Sequence, residues 1–280
     1  MFLQTARRKI SLEKTLVMGI INVTPDSFSD GGELFSVDDA LRQSEKLVAD
    51  GADILDIGGE STRPKSTQVT AEEESVRVVP VIEAIAKRFE TPISVDTTKA
   101  SVAKNALAAG AEIVNDISGL RFDLQIGEVA ARSGAGLVLM HSRGKFETMH
   151  TLPPVDDILG DVTADFRRAI LAAKSFGVKN EQIVLDVGIG FSKTLEQNLE
   201  LLAKLDKLVQ VFPEFPMLVG TSRKSFIAKI LGESSPDERL AGSLASVAVA
   251  VWNGAKIVRV HDVKETGETL KIVDAIKLLM

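Results

Sequence analysis

The chain has 280 residues, 45% of them hydrophobic, with a formal net charge of −6 and no cysteine. That length supports one large core or two smaller ones, and the missing cysteine excludes disulfides, thiolate metal sites and cysteine nucleophiles. The acidic balance, without a basic stripe, argues against nucleic acid, and no run approaches the roughly 18 apolar residues of a membrane span.

MFLQTARRKI holds too short an apolar stretch for a secretory signal, so the expectation is a soluble, cytoplasmic protein. Residues 1–13 read as an N-terminal arm and 14–280 as one domain. Leu16 to Ile21 is an apolar run of strand length, followed by a polar loop through Asn22, Asp26, Asp30 and two glycines. Phe28 rides in that loop, either folded back onto the domain or awaiting a flat ligand. Val37, Ala40, Leu41, Ser44, Leu47 and Val48 then show helical spacing up to Gly51. DILDI (Asp53 to Ile57) is a short buried strand, followed by the loop GGESTRPKST. Thr70 and Glu73 form a capping box, and Pro80 should kink or divide the helix it opens.

The cycle repeats through strand Ile93 to Asp96, helix Lys99 to Ala109, strand Glu112 to Asp116 and a shorter helix near Leu124 to Arg132. Strand Gly136 to Met140 ends at His141, and Ser142 to Pro154 reads as an exposed loop. A helix from about Ile158 to Phe176 precedes strand Gln182 to Asp186. One helix marked by Leu199, Leu202, Leu205, Leu208 and Val209 precedes strand Pro216 to Gly220. A helix through Leu240, Leu244 and Val251, strand Lys256 to Val260 and a terminal helix near Lys264 to Leu279 finish the chain. Eight strand-then-helix units without a linker, repeating at roughly 34 residues, favour an α/β fold of the closed (β/α)8, or TIM, barrel type. A doubly wound open sheet is the rival that alternation alone does not exclude.

Each apolar run ends in a polar residue: Asn22, Asp56, Asp96, Asn115 with Asp116, His141, Asp186, the Ser222-Arg223-Lys224 run, and Arg259 with His261. Any one of these could be a helix cap or turn former. A barrel, however, gathers all eight ends at one rim, where ligands bind. Asp96, Asn115 and Asp186 could accept from the amino and ring N–H groups of a planar heterocycle. Arg63, Arg223, Lys224, Arg259 and His261 are the cations an acidic protein needs for a phosphate or diphosphate. Only three histidines exist, without close pairing, so a zinc site is not expected. Magnesium carried by a diphosphate, with Asn22 as the one protein oxygen ligand, is compatible with the residues.

From Leu16 to its end the chain resembles the dihydropteroate synthase family. GIINVTPDSFSDGG and GGESTRP resemble the family's two mobile loops. SVDT, VNDISG, MH, LDVGIGF, GTSRKSF and RVHDV resemble its remaining strand ends, in order. Val187 stands where the family usually has proline, and Ser192 where it has glycine. Ser142-Arg143-Gly144 also departs from the pattern.

The resemblance implies condensation of a dihydropterin methyl diphosphate with 4-aminobenzoate, releasing diphosphate. It also implies magnesium, a homodimer and membership of a family that sulfonamides target. By position, Asp96, Asn115, Asp186 and Lys224 would bind the pterin. Arg259, His261 and Thr62 would hold the diphosphate, with Asn22 toward the metal. Phe28, Thr62, Arg63, Pro64, Lys224 and Ser225 would build the aminobenzoate site, with Asp30 in the first loop.

Overall fold

Eight parallel strands close on themselves in the computed structural model, which describes residues 1–24, 36–62, 66–149, 151–232 and 234–279. A hairpin comes first, β1 (Phe2–Gln4) paired antiparallel with β2 (Lys9–Ser11). The barrel strands are β3 (Leu16–Asn22), β4 (Ile54–Gly58), β5 (Ile93–Asp96), β6 (Ile113–Asp116), β7 (Gly136–Met140), β8 (Ile183–Asp186), β9 (Met217–Val219) and β10 (Ile257–Val260). They neighbour one another in chain order, and β10 pairs with β3 to close the ring. The closed barrel, not the open sheet, is the architecture.

Helices α1 (Val37–Ala49), α2 (Ala71–Arg88), α3 (Ala100–Ala109), α4 (Gln125–Ser133) and α5 (Ile158–Ser175) follow β3 to β7 in turn. Further along are α6 (Leu195–Ala203), α7 (Leu205–Val211), α8 (Ser225–Leu231), α9 (Leu240–Trp252) and α10 (Val263–Lys277). The capping boxes at Ser36, Thr70 and Thr194 each satisfy two orphan N–H groups where α1, α2 and α6 begin.

Two helix expectations need correction. Pro80 does not divide α2, which runs unbroken for 18 residues. Pro80 is exposed, so the carbonyl it leaves without a helical donor can be served by water. The leucine run after β8, read as one helix, forms α6 and α7, with Lys204 between them at φ −116° and ψ 22°. The Asn253 amide donates to the Leu202 carbonyl at 2.7 Å, replacing a helical bond at that break. That partner lies 51 residues away and leaves no local signal.

Alternate residues of each strand divide the apolar content into two cores. Val17, Ile21, Leu55, Ile57, Val95, Val114, Leu139 and Leu185 face outward and pack with the helices. Leu16, Met18, Ile54, Ile113, Val138, Val184, Leu218 and Ile257 face inward and fill the lower barrel. The hairpin closes this inner core from below, with Leu3 and Leu12 each 1% exposed within it. Glu112, just before β6, fastens it: its carboxylate accepts from Thr5 Oγ1 at 2.6 Å and pairs with Arg8 at 2.8 Å. The arm at residues 1–13 is therefore packed against the barrel interior. Among the described residues, no helix is long and apolar enough to cross a membrane.

Candidate active site

The inward row identifies which strand-end residues share a mouth. Side chains alternate with a period of two along a strand, so the inner-core positions continue upward as Asn22, Asp56, Asp96, Asn115, Met140, Asp186, Gly220 and Arg259. The row is apolar at the bottom and mostly polar or charged at the carboxyl ends, where barrel loops converge.

Arg259 ties the acidic side together. Its Nε donates to Asp56 Oδ2 at 2.6 Å and its Nη2 to Asp96 Oδ2 at 2.8 Å. The Asn115 amide donates to the same Asp56 oxygen at 3.1 Å. Asp56 Oδ1 and Asn115 Oδ1 are buried acceptors without a protein partner among the described residues. Burial pushes Asp96 up to about 7; Arg259 pulls it back, while Asp56, Glu74 and Asp116 push it further up. One guanidinium for two enclosed carboxylates leaves an excess negative charge, which a proton on Asp96 relieves. Burial works against the Arg259 charge, yet Asp56 and Asp96 hold its pKa above the ordinary arginine value.

The cationic partner on the opposite side is Lys224, which precedes α8. Its ammonium donates to the Ile189 carbonyl and lies 5.1 Å from the Phe191 ring centroid. Burial lowers it to about 8, against the pull of Asp186, while Arg259 lowers it and Asp96 raises it. Burial likewise raises Asp186, with Lys224 opposing. A Cβ built on Gly220 would sit 3.7 Å from Arg259 Cβ and 3.9 Å from Lys224 Nζ, so the Lys224 ammonium ends beside the root of the Arg259 side chain. Asn22 joins from β3: a Cβ on Gly58 would lie 3.8 Å from its Oδ1 and 3.6 Å from Asp96 Cβ. His261 follows β10, its Nδ1 3.0 Å from Ser222 Oγ.

Asp96, Asn115, Asp186, Lys224, Arg259 and Asn22 thus meet at one mouth, with His261 at its edge. Thr62 is half-buried in the segment after β4, and Ser225 is exposed at the start of α8. Phe28, Asp30, Arg63 and Pro64 lie outside the described residues.

Three members of the expected polar ring have other work. Asp116 occupies an outward position, where its carboxylate accepts from Ser118 N, Ser118 Oγ and Leu120 N at 2.8, 2.7 and 2.6 Å. It is a turn former. His141 also follows the outward register; its Nε2 is 3.1 Å from Asp161 on α5, and burial lowers its pKa. Met140 takes the inward place on β7. Arg223, grouped with the phosphate-binding cations, sits at φ 59° and forms a fork onto both Asp262 oxygens at 3.1 and 2.6 Å. Its charge is committed to holding the loop after β9 against the loop after β10.

Sequence reasoning gave no role to Glu60, Lys99 or Glu74. Lys99 Nζ pairs with Glu74 at 2.6 Å and Glu60 at 3.0 Å, and Glu60 also accepts from Val69 N at 2.7 Å. The pairing pins both ends of the segment carrying Thr62. Burial raises the Glu74 pKa, with Lys99 resisting. A glutamate in GGES and another just after a capping box look like surface charges, so only the tertiary contact reveals them.

Among the described residues no group of three or more His, Asp or Glu side chains could hold a metal. A cation that brings most of its own oxygen ligands still fits, because Asn22 offers one hard amide oxygen at the rim.

Comparison with known proteins follows the geometry. Residues 18–261 match the model of the family described as pterin binding enzyme. The dihydropteroate synthase of a Synechocystis strain is 48% identical over 264 residues, covering 94% of this chain and 91% of that protein. The crystal structure of Yersinia pestis dihydropteroate synthase with a sulfonamide drug superposes with TM-score 0.93 at 43% identity, covering 99% of both chains. Burkholderia cenocepacia dihydropteroate synthase complexed with 7,8-dihydropteroate gives TM-score 0.88 at 39% identity, covering 99% of this chain and 97% of that one.

Proposed function

The chain belongs to the pterin binding enzyme family, and from that premise we propose that it joins (7,8-dihydropterin-6-yl)methyl diphosphate to 4-aminobenzoate. The products are 7,8-dihydropteroate and diphosphate, a transferase step of folate biosynthesis. The reading is supported above all by opposite charges gathered at one mouth: Asp96 against Arg259 at 2.8 Å, with Asp186 and Lys224 across from them.

The dihydropterin is electron-rich, so its C–O bond to diphosphate can part to leave a delocalised cation. Asp96, Asn115 and Asp186 accept from the heterocycle's N–H edge, and the two carboxylates place negative charge where that cation develops. These groups are fixed before the reaction, so they stabilise charge separation without reorganising. Arg259 keeps Nε on Asp56 and Nη2 on Asp96. Its Nη1 is a donor for a departing diphosphate oxygen, alongside His261 and Thr62. The aromatic amine then attacks the methylene carbon as a neutral nucleophile and loses a proton to solvent or diphosphate. No strong base is required. Thr62, Arg63, Pro64, Phe28, Lys224 and Ser225 are assigned to aminobenzoate, with Asp30 in the first loop. Asn22 is assigned to magnesium, which when bound makes diphosphate a better leaving group. A cytoplasmic homodimer completes the proposal.

The test supplies both substrates to the purified protein and follows diphosphate and dihydropteroate. Equal amounts of the two products are expected, with none from the pterin alone and little after magnesium is chelated. Diphosphate release without dihydropteroate would contradict the proposed amine transfer.

A further inference from the structure

We propose that Lys193 is a positioning residue for the pterin end of the site, acting through the loop after β8. The proposal rests on the pterin reading of Asp186 and Lys224 given above.

Lys193 Nζ is 2.8 Å from the Gly188 carbonyl, 3.0 Å from that of Phe191 and 3.4 Å from that of His141. An ammonium has three N–H donors, and three backbone acceptors surround this one. Among the described residues no carboxylate lies within ion-pair distance of it. Burial lowers its pKa to about 7, although Asp186 pulls upward. Enclosing a cation among dipoles is unfavourable compared with a methionine of similar length, so packing alone does not account for it. The ammonium adds convergence: three carbonyl oxygens from two strand ends point at one spot and would otherwise repel.

That convergence fixes an unusual stretch of backbone. Gly188 has φ 64° and lies so close to β7 that a Cβ would fall 2.0 Å from the His141 oxygen. Ser192 also has positive φ, 49°, and its hydroxyl donates to the Met149 carbonyl. Between these anchors, the Ile189 carbonyl receives Lys224 Nζ and the Phe191 ring lies beside it. Asp186, immediately before the loop, also accepts from Gly188 N at 2.8 Å. Lys193 therefore sets the loop, the loop sets Lys224, and Lys224 faces Asp186.

The test is Lys193→Met, with steady-state kinetics for each substrate at saturation of the other. The KM for the pterin diphosphate should rise about tenfold or more, and that for 4-aminobenzoate, which shares Lys224 but not Asp186, by a clearly smaller factor. Lys193→Gln, whose amide can still donate to two carbonyls, should give a smaller rise in the same constant. It carries the test if the methionine variant does not fold. General loosening would raise both constants by the same factor. That result, or an unchanged pterin KM in either folded variant, would overturn the inference. Failure of the wild-type protein to bind the pterin diphosphate would instead defeat the reading beneath it.

Discussion

Asp96→Asn should make the protein more stable at alkaline pH while weakening pterin binding. Asp96 has its pKa raised to about 7 from an ordinary 3.8, chiefly by burial. Its folded-state pKa thus exceeds its unfolded value, and the folded state binds the extra proton between those limits. Stability from this group is complete below about 3.8 and is lost as pH climbs through about 7. A difference of about three pH units corresponds to about 4 kcal/mol in full, of which about 3 kcal/mol falls between pH 5 and 8. Asparagine stays neutral and can still accept from Arg259 Nη2, so the variant lacks this loss. Urea unfolding of both proteins from pH 5 to 8 measures the effect, because titrating groups away from the mouth cancel in the difference. The variant's advantage should grow by about 3 kcal/mol across the window. Parallel curves, or a variant less stable at pH 8, would refute the charge account of the mouth.

Gly188→Ala should cost about 3 kcal/mol or more, or prevent folding, because the added methyl meets the His141 carbonyl and φ is positive; denaturant titration and soluble yield measure it. Arg223→Ala should lower unfolding free energy by about 2 kcal/mol through loss of the Asp262 fork. Calorimetric titration with diphosphate should show its affinity unchanged within about twofold, since that charge faces away from the mouth. Leu3→Ala should cost about 2 to 4 kcal/mol in the same unfolding assay by opening a cavity beneath the barrel. Both KM values should be untouched by it.

The barrel was legible because eight apolar runs alternate with amphipathic segments, and a parallel strand buried on both faces must read as such a run. The same property concealed the register. With both faces apolar, the period-two signal vanishes, so Asn115 could not be separated from Asp116, or Met140 from His141, by pattern. The structure decides it through the inner core below, where Ile113 and Val138 set the parity that Asn115 and Met140 continue. Arg223 and Lys224 pose the same problem in a loop: adjacent cations look equivalent until Asp262, 39 residues from Arg223, takes one of them. Lys193 was hidden because a lysine beside glycine, serine and phenylalanine looks solvent-facing, and its carbonyl partners carry no side-chain signature.

The central claim is that the inward row of strand ends is the pterin site, and a crystal structure with the pterin diphosphate bound tests it most directly. The N–H edge of the ring is expected within about 3 Å of Asp96, Asn115 and Asp186 oxygens, with the diphosphate toward Arg259 and His261. A pterin seated against Asp116, His141 or Arg223, or at the hairpin end of the barrel, would contradict it.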